Sequence, residues 1–149
     1  MNVHGVVELT ADVFHVRAPH GRELDRKSAR WLDREEVDSV LPPSMVLLPR
    51  VPRVGDPTRE DDVTPRVCFA RTIGGAVTAL GLSGKVSEFY VGVYVPERPI
   101  EVFEPFSSPE PGFGNRFYVW DAAQNGEVWS LRPVRAELSR VVRPGEPIA

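Results

Sequence analysis

The stretch Arg66-Val67-Cys68-Phe69-Ala70-Arg71-Thr72-Ile73-Gly74-Gly75-Ala76-Val77-Thr78-Ala79-Leu80 decides the fold. Residues 66–70 are an apolar run containing valine and phenylalanine, which fit a pleated, half-buried surface and predict a strand. Thr72 is a good helix N-cap, and Ile73, Ala76, Val77 and Leu80 then recur at helical spacing. Gly81 follows as a stop signal. A strand that turns directly into a helix places that helix against its own sheet, so the chain reads as α+β.

Working outward, residues 88–95 (Glu-Phe-Tyr-Val-Gly-Val-Tyr-Val) predict a long strand that Pro96 and Pro99 interrupt before an edge piece at 100–103. Residues 107–115 are a Pro/Gly-rich loop, 116–120 a strand, 121–126 a turn, and 127–132 and 137–142 two more strands, with a frayed tail over 144–149. Upstream, 5–9 and 12–17 read as short strands. Residues 22–40 fit one or two short amphipathic helices, which Pro42-Pro43 stop, and 44–48 fit another strand. Residues 49–65 contain Pro49, Pro52, Gly55, Pro57 and Pro65 and the charged run Arg59-Glu60-Asp61-Asp62, and predict a surface loop. The expectation is one domain over residues 1–149, a strand-rich α+β fold of two short packed sheets with two or three short helices.

At 149 residues the chain can remove roughly two-thirds of its surface from water, so a self-sufficient core is feasible. Fifteen prolines make long helices improbable by fixing φ and removing backbone donors. The net charge of −3 argues against non-specific binding to a nucleic-acid backbone. No apolar run reaches membrane-spanning length, and the first residues lack a basic-then-apolar leader, so a cytoplasmic protein is expected. Cys68 alone makes neither an internal disulfide nor a metal cluster, and the histidines have no ligand spacing, so no metal is assigned.

Three features carry chemistry. In Val13-Phe14-His15-Val16-Arg17, alternation puts His15 and Arg17 on one face and Phe14 and Val16 on the other. At Arg71-Thr72-Ile73-Gly74-Gly75, two glycines at a helix start either let an anion approach the unpaired N–H groups or let the helix pack closely. In Gly126-Glu127-Val128-Trp129-Ser130-Leu131, alternation groups Glu127 with Trp129 and Leu131, so its carboxylate lies either at an exposed strand end or in a cleft.

In this order the three features resemble the ADP-ribosyltransferase superfamily, in particular the small rifampin ADP-ribosyltransferases and the RNA 2′-phosphotransferases. There a first strand carries an arginine or histidine, a middle strand runs into a helix, and a late strand carries a glutamate. The resemblance covers the first strand and residues 66–142. It implies an NAD-consuming transferase with its cleft between two small sheets. Glu127, Arg17 and His15 would be the catalytic set. Thr72, Arg71, Gly74, Gly75, Tyr90 and Tyr94 would bind NAD, with Tyr90 or Tyr94 stacking on nicotinamide. The middle strand ends Ala70-Arg71-Thr72 where Ser-Thr-Ser is usual in the family. Asn125 stands two residues before Glu127, where an acidic residue or glutamine is usual. The acceptor would be an unknown protein or small molecule. The alternatives are a non-enzymatic binding module, and a phage or virion assembly protein meeting a partner through Phe113, Phe117, Tyr118 and Trp120.

Overall fold

The computed structural model describes residues 7–18, 40–80, 90–143 and 145–147. The helices expected within 22–40 lie almost wholly outside the described residues, as do the starts of the strands expected at 5–9 and 88–95. The elements are β1 (Glu8–Thr10), β2 (His15–Arg17), β3 (Ser44–Leu47), β4 (Val67–Ala70), α1 (Ile73–Ala79), β5 (Val91–Pro96), β6 (Ile100–Val102), α2 (Ala122–Asn125), β7 (Glu127–Ser130) and β8 (Val134–Val142). This is the expected strand-rich α+β class.

All the ladders are antiparallel. One sheet has the order β2-β5-β8-β3, and the pairs β1-β6 and β4-β7 form two further ladders. Isolated bridges connect them. Phe103 exchanges backbone bonds with Trp129 and so joins β6 to β7, while Phe14 exchanges bonds with Ala70 and joins the entry of β2 to the end of β4. The lateral order is therefore β1-β6-β7-β4-β2-β5-β8-β3, with β2 and β4 meeting at the junction of two four-stranded halves.

The two halves share one core. Val67 and Phe69 of β4, Val128 of β7 and Val102 of β6 pack with Tyr94 of β5, Val134 and Ala136 of β8 and Leu47 of β3. A second cluster lies under α1, where Ala76 and Val77 meet Ala70, Val16, Val91 and Val93. A third gathers Phe103, Phe117, Val119, Ala122 and Trp129. These clusters supply the apolar burial that holds the short strands together.

Two expectations differ in the structure. Residues 116–120 form no strand. The chain turns over 111–117, Phe117 takes a left-handed φ of 61°, and its N–H donates to a carboxylate oxygen of Asp61 at 2.7 Å. The segment 49–65 is not a simple solvated loop. Asp61 is fully buried and also accepts from the backbone N–H groups of Val63 and Thr64 and from the Thr64 hydroxyl. Burial pushes the Asp61 carboxyl up, but these bonds outweigh it and hold the group below its usual range. Arg50 further ties the segment to Arg66 through a backbone bridge.

The paired glycines of α1 also part ways. A Cβ on Gly75 would run into the backbone carbonyl of Asn125 in α2, whereas a Cβ on Gly74 would meet nothing. Close helix packing is therefore the role of Gly75. Gly75→Ala is expected to destabilise the protein by about 1–3 kcal/mol through overpacking, while Gly74→Ala stabilises it by up to about 1 kcal/mol through helix propensity. Urea denaturation of both variants checks the pair, and equal effects would contradict the packing.

Candidate functional site

A cavity of about 600 Å³ opens where β2 meets β4. Its walls include Phe14, His15 and Val16 of the β2 segment, Cys68 to Ala70 of β4, and Ala76, Ala79 and Leu80 of α1 and its end. Glu127 closes one side, and Arg50, Val51, Pro52, Arg53 and Glu60 of the β3–β4 connection form another. This volume is typical of small-molecule sites.

Backbone register sets the positions of the first two chemical groups. The Phe14–Ala70 bridge lays β2 alongside β4, and His15 Nδ1 lies 3.0 Å from the Cys68 carbonyl oxygen. Ala70 pairs in turn with Glu127 across the β4–β7 ladder. A carbonyl only accepts, so His15 Nδ1 carries the proton of that bond. Burial lowers the His15 pKa, the Cys68 bond raises it, and the positive charges of Arg50 and Arg17 lower it further, for a net shift downward. The ring is thus neutral at pH 7, and Nε2 is its acceptor.

Glu127 is 7% exposed, so its carboxylate lies in a cleft and not at a solvated strand end. Gly126 supports this placement. It takes a left-handed φ of 63° as the C-cap of α2, a conformation that favours glycine, and its carbonyl accepts from the Arg71 N–H at 2.9 Å. The Trp129 indole N–H donates to Glu127 Oε2 at 2.6 Å, as expected for residues two apart on one strand face. Burial pushes the Glu127 pKa up to about 7. The Trp129 bond opposes that rise, the negative charge of Glu60 adds to it, and Arg66 opposes it.

Behind these groups lies Arg66, whose side chain is fully buried. Its guanidinium sits 4.1 Å from the Trp129 ring centre. It donates to the Asp61 and Thr64 carbonyls at 2.9 and 3.0 Å and pairs with Glu60 Oε2 at 3.1 Å. Glu60 and Glu127 therefore flank one Arg66–Trp129 stack and face one cavity. Burial raises the Glu60 pKa, Arg66 opposes the rise, and Asp121 adds to it.

The structure brings His15 and Glu127 together on this cavity and turns the other expected site residues elsewhere. Arg17 Nε donates to the Val40 carbonyl at 3.2 Å, and the residue is not part of the wall. Arg71 pairs with Glu8 at 2.8 Å and Glu104 at 3.2 Å. The Thr72 hydroxyl accepts from the Gly75 N–H at 2.9 Å and so occupies a donor that an anion would need. Gly74 is exposed, and Gly75 is packed on Asn125. Tyr90 and Tyr94 belong to the core between the two halves, and the Tyr94 hydroxyl donates to the Pro42 carbonyl.

Sequence reading missed Glu60, Arg50 and Arg53. They sit in a segment whose prolines and charges resemble those of a solvated loop. The spacing of Asp61 to Thr64, which lets a carboxylate cap its own turn, was the available sign of order there. Of the four aromatic residues considered as a docking patch, Phe117 and Tyr118 are buried, while Phe113 and Trp120 are 39% and 49% exposed. Among the described residues there is no group of side chains suited to a metal ion and no helix long and apolar enough to cross a membrane. No protein-family model, curated protein or solved structure matches this chain.

Folding raises the pKa of Glu127 from an ordinary value of 4.5 to about 7. The neutral carboxyl therefore favours the folded state. Its contribution is complete below about pH 4.5 and is lost as the pH rises through about 7. Relative to Glu127→Gln, the wild type should lose up to about 3 kcal/mol of stability between pH 4.5 and pH 8. Urea denaturation of both proteins across that range measures the difference, and parallel stability curves would contradict the buried carboxyl.

Proposed function

We propose that this chain is an ADP-ribosyltransferase-like protein that binds NAD in the cavity at the β2–β4 junction and cleaves its nicotinamide–ribose bond. The observation that carries the reading is the convergence of His15 on β2 and Glu127 on β7 upon one cavity beside the β4–α1 turn. The three sequence features of the resemblance are thus spatial neighbours, and the cavity lies where two four-stranded halves meet.

Charge supports the same reading. NAD is a bipolar ligand, with a cationic nicotinamide ring and an anionic pyrophosphate. The cavity wall carries Arg50 and Arg53 along with Glu60 and Glu127. Arg50 acts electrostatically on His15, and Glu60 and Arg66 act in opposite directions on Glu127, so the cavity offers charge of both signs. Arg50 and Arg53 would hold the pyrophosphate, a task suited to guanidinium. The neutral His15 would accept from a ribose hydroxyl. Glu127, held by Trp129, would bond a hydroxyl of the nicotinamide ribose and stabilise the positive charge that develops on that sugar as nicotinamide leaves.

A second reading, ligand binding without turnover, is favoured by the core placement of Tyr90 and Tyr94, which leaves nicotinamide without a tyrosine to stack on. Free nicotinamide, followed over time with NAD in excess, separates the two. The wild type should release it, and Glu127→Ala should lower the rate by at least about 100-fold. Arg50→Ala should raise KM for NAD about tenfold through loss of a charged contact. Saturable NAD binding without nicotinamide release would support the binding module, and no binding at millimolar NAD would contradict both readings.

A further inference from the structure

We propose that the outer face of β1, β6 and the end of β7 is an interface between two copies of this chain, related by a two-fold axis. None of the residues involved lines the β2–β4 cavity.

A hollow of about 550 Å³ lies on that face. Strand register explains its lining. Leu9 of β1 stands directly across from Glu101 of β6, and Phe103, two residues on, bridges Trp129 of β7. Residues two apart on a strand share a face, so Leu9, Glu101, Phe103 and Trp129 lie on one side of the ladder. Val7 and Leu131 join the lining at its margins. Elsewhere on this side Phe117, Val119 and Ala122 pack over Phe103 and Trp129. That cover stops short of β1. Val7 and Leu9 are left 44% and 68% exposed, and Leu131 is half-buried. The apolar cluster around Phe103 therefore continues, uncovered, out to the edge of the ladder.

Two observations commit this patch to a second copy. It holds a knob and a hollow side by side, with exposed Leu9 next to the concavity lined by Ile100, Phe103 and Leu131. An isologous interface needs that combination, because one patch must fit itself. The patch also holds one charge of each sign. Glu101 and Arg132 both line the hollow, both are exposed, and neither is in an ion pair among the described residues. A two-fold axis sets the Glu101 of each copy against the Arg132 of the other, while the Leu9 of each fills the opposite hollow. Apolar burial then supplies the affinity, and the two crossed charge pairs fix the orientation.

Sedimentation equilibrium of the full chain tests the interface. A dimer should form at protein concentrations up to about 200 µM, and a monomer throughout would overturn the proposal. Leu9→Lys should raise the dissociation constant at least about tenfold. Val46→Lys, at an exposed position on β3 at the far end of the strand order, should change it by less than about twofold. Equal effects, or the reverse order, would overturn the assignment of the face. Glu101→Arg and Arg132→Glu each set like charges together, and each should weaken the dimer about tenfold. Mixed in equal amounts, the two variants restore opposite charges at both contacts and should associate with near wild-type affinity. A misfolded variant gives no such rescue. A mixture that associates no better than either variant alone would overturn the two-fold pairing.

Discussion

Two backbone hydrogen bonds between Phe14 and Ala70, of 2.8 and 2.9 Å, hold the site together. They join the entry of β2 to the end of β4 and so make neighbours of the two halves, which the Arg50–Arg66 backbone bridge also ties together. Each later feature follows from that junction. It places His15 within reach of the Cys68 carbonyl. It sets β2 one strand away from β4, and β4 one strand away from Glu127. It also leaves between β2 and α1 the opening that becomes the cavity. The bonds persist because Val13 on one side and Ala70 on the other are buried in core clusters, which keeps water from competing for them.

The second organising element is electrostatic. A fully buried arginine needs its charge balanced, and Arg66 is held by Glu60, the Asp61 and Thr64 carbonyls and the face of Trp129, while its buried Nε is left without a hydrogen-bond partner. That arrangement draws the β3–β4 connection inward. Asp61 locks it there by accepting from four groups, the Phe117 N–H among them. The connection is thereby turned from a solvent excursion into a cavity wall that carries Arg50, Arg53 and Glu60. Structural and site chemistry share the same residues. Trp129 is both a core aromatic and the donor that orients Glu127.

How far the sequence was legible depends on the range of the interaction. The β4–α1 unit was readable because a cap, a helical period and a stop signal lie close together, and Thr72 does cap α1. The shared face of Glu127 and Trp129 was readable from the period of two. Which face of a strand meets the core is a long-range matter, and there local pattern fell short. Tyr90 and Tyr94 alternate in the same way whether they line a cleft or the core, and tertiary packing put them in the core. Arg17 shares the side of His15 in the pattern but is drawn off by the Val40 carbonyl. Glu60 was hidden in a charged run because its partner, Arg66, becomes buried only once β4, β7 and the connection have assembled.

The central proposal is that Glu127, a carboxylate buried on the cavity wall, serves NAD binding. Its most direct test is an NMR titration of the Glu127 side-chain carboxyl carbon, with and without NAD. The account predicts a midpoint near 7 in the free protein, moved when NAD occupies the cavity. A midpoint in the ordinary carboxylate range near 4.3, insensitive to NAD, would contradict both the burial and the site.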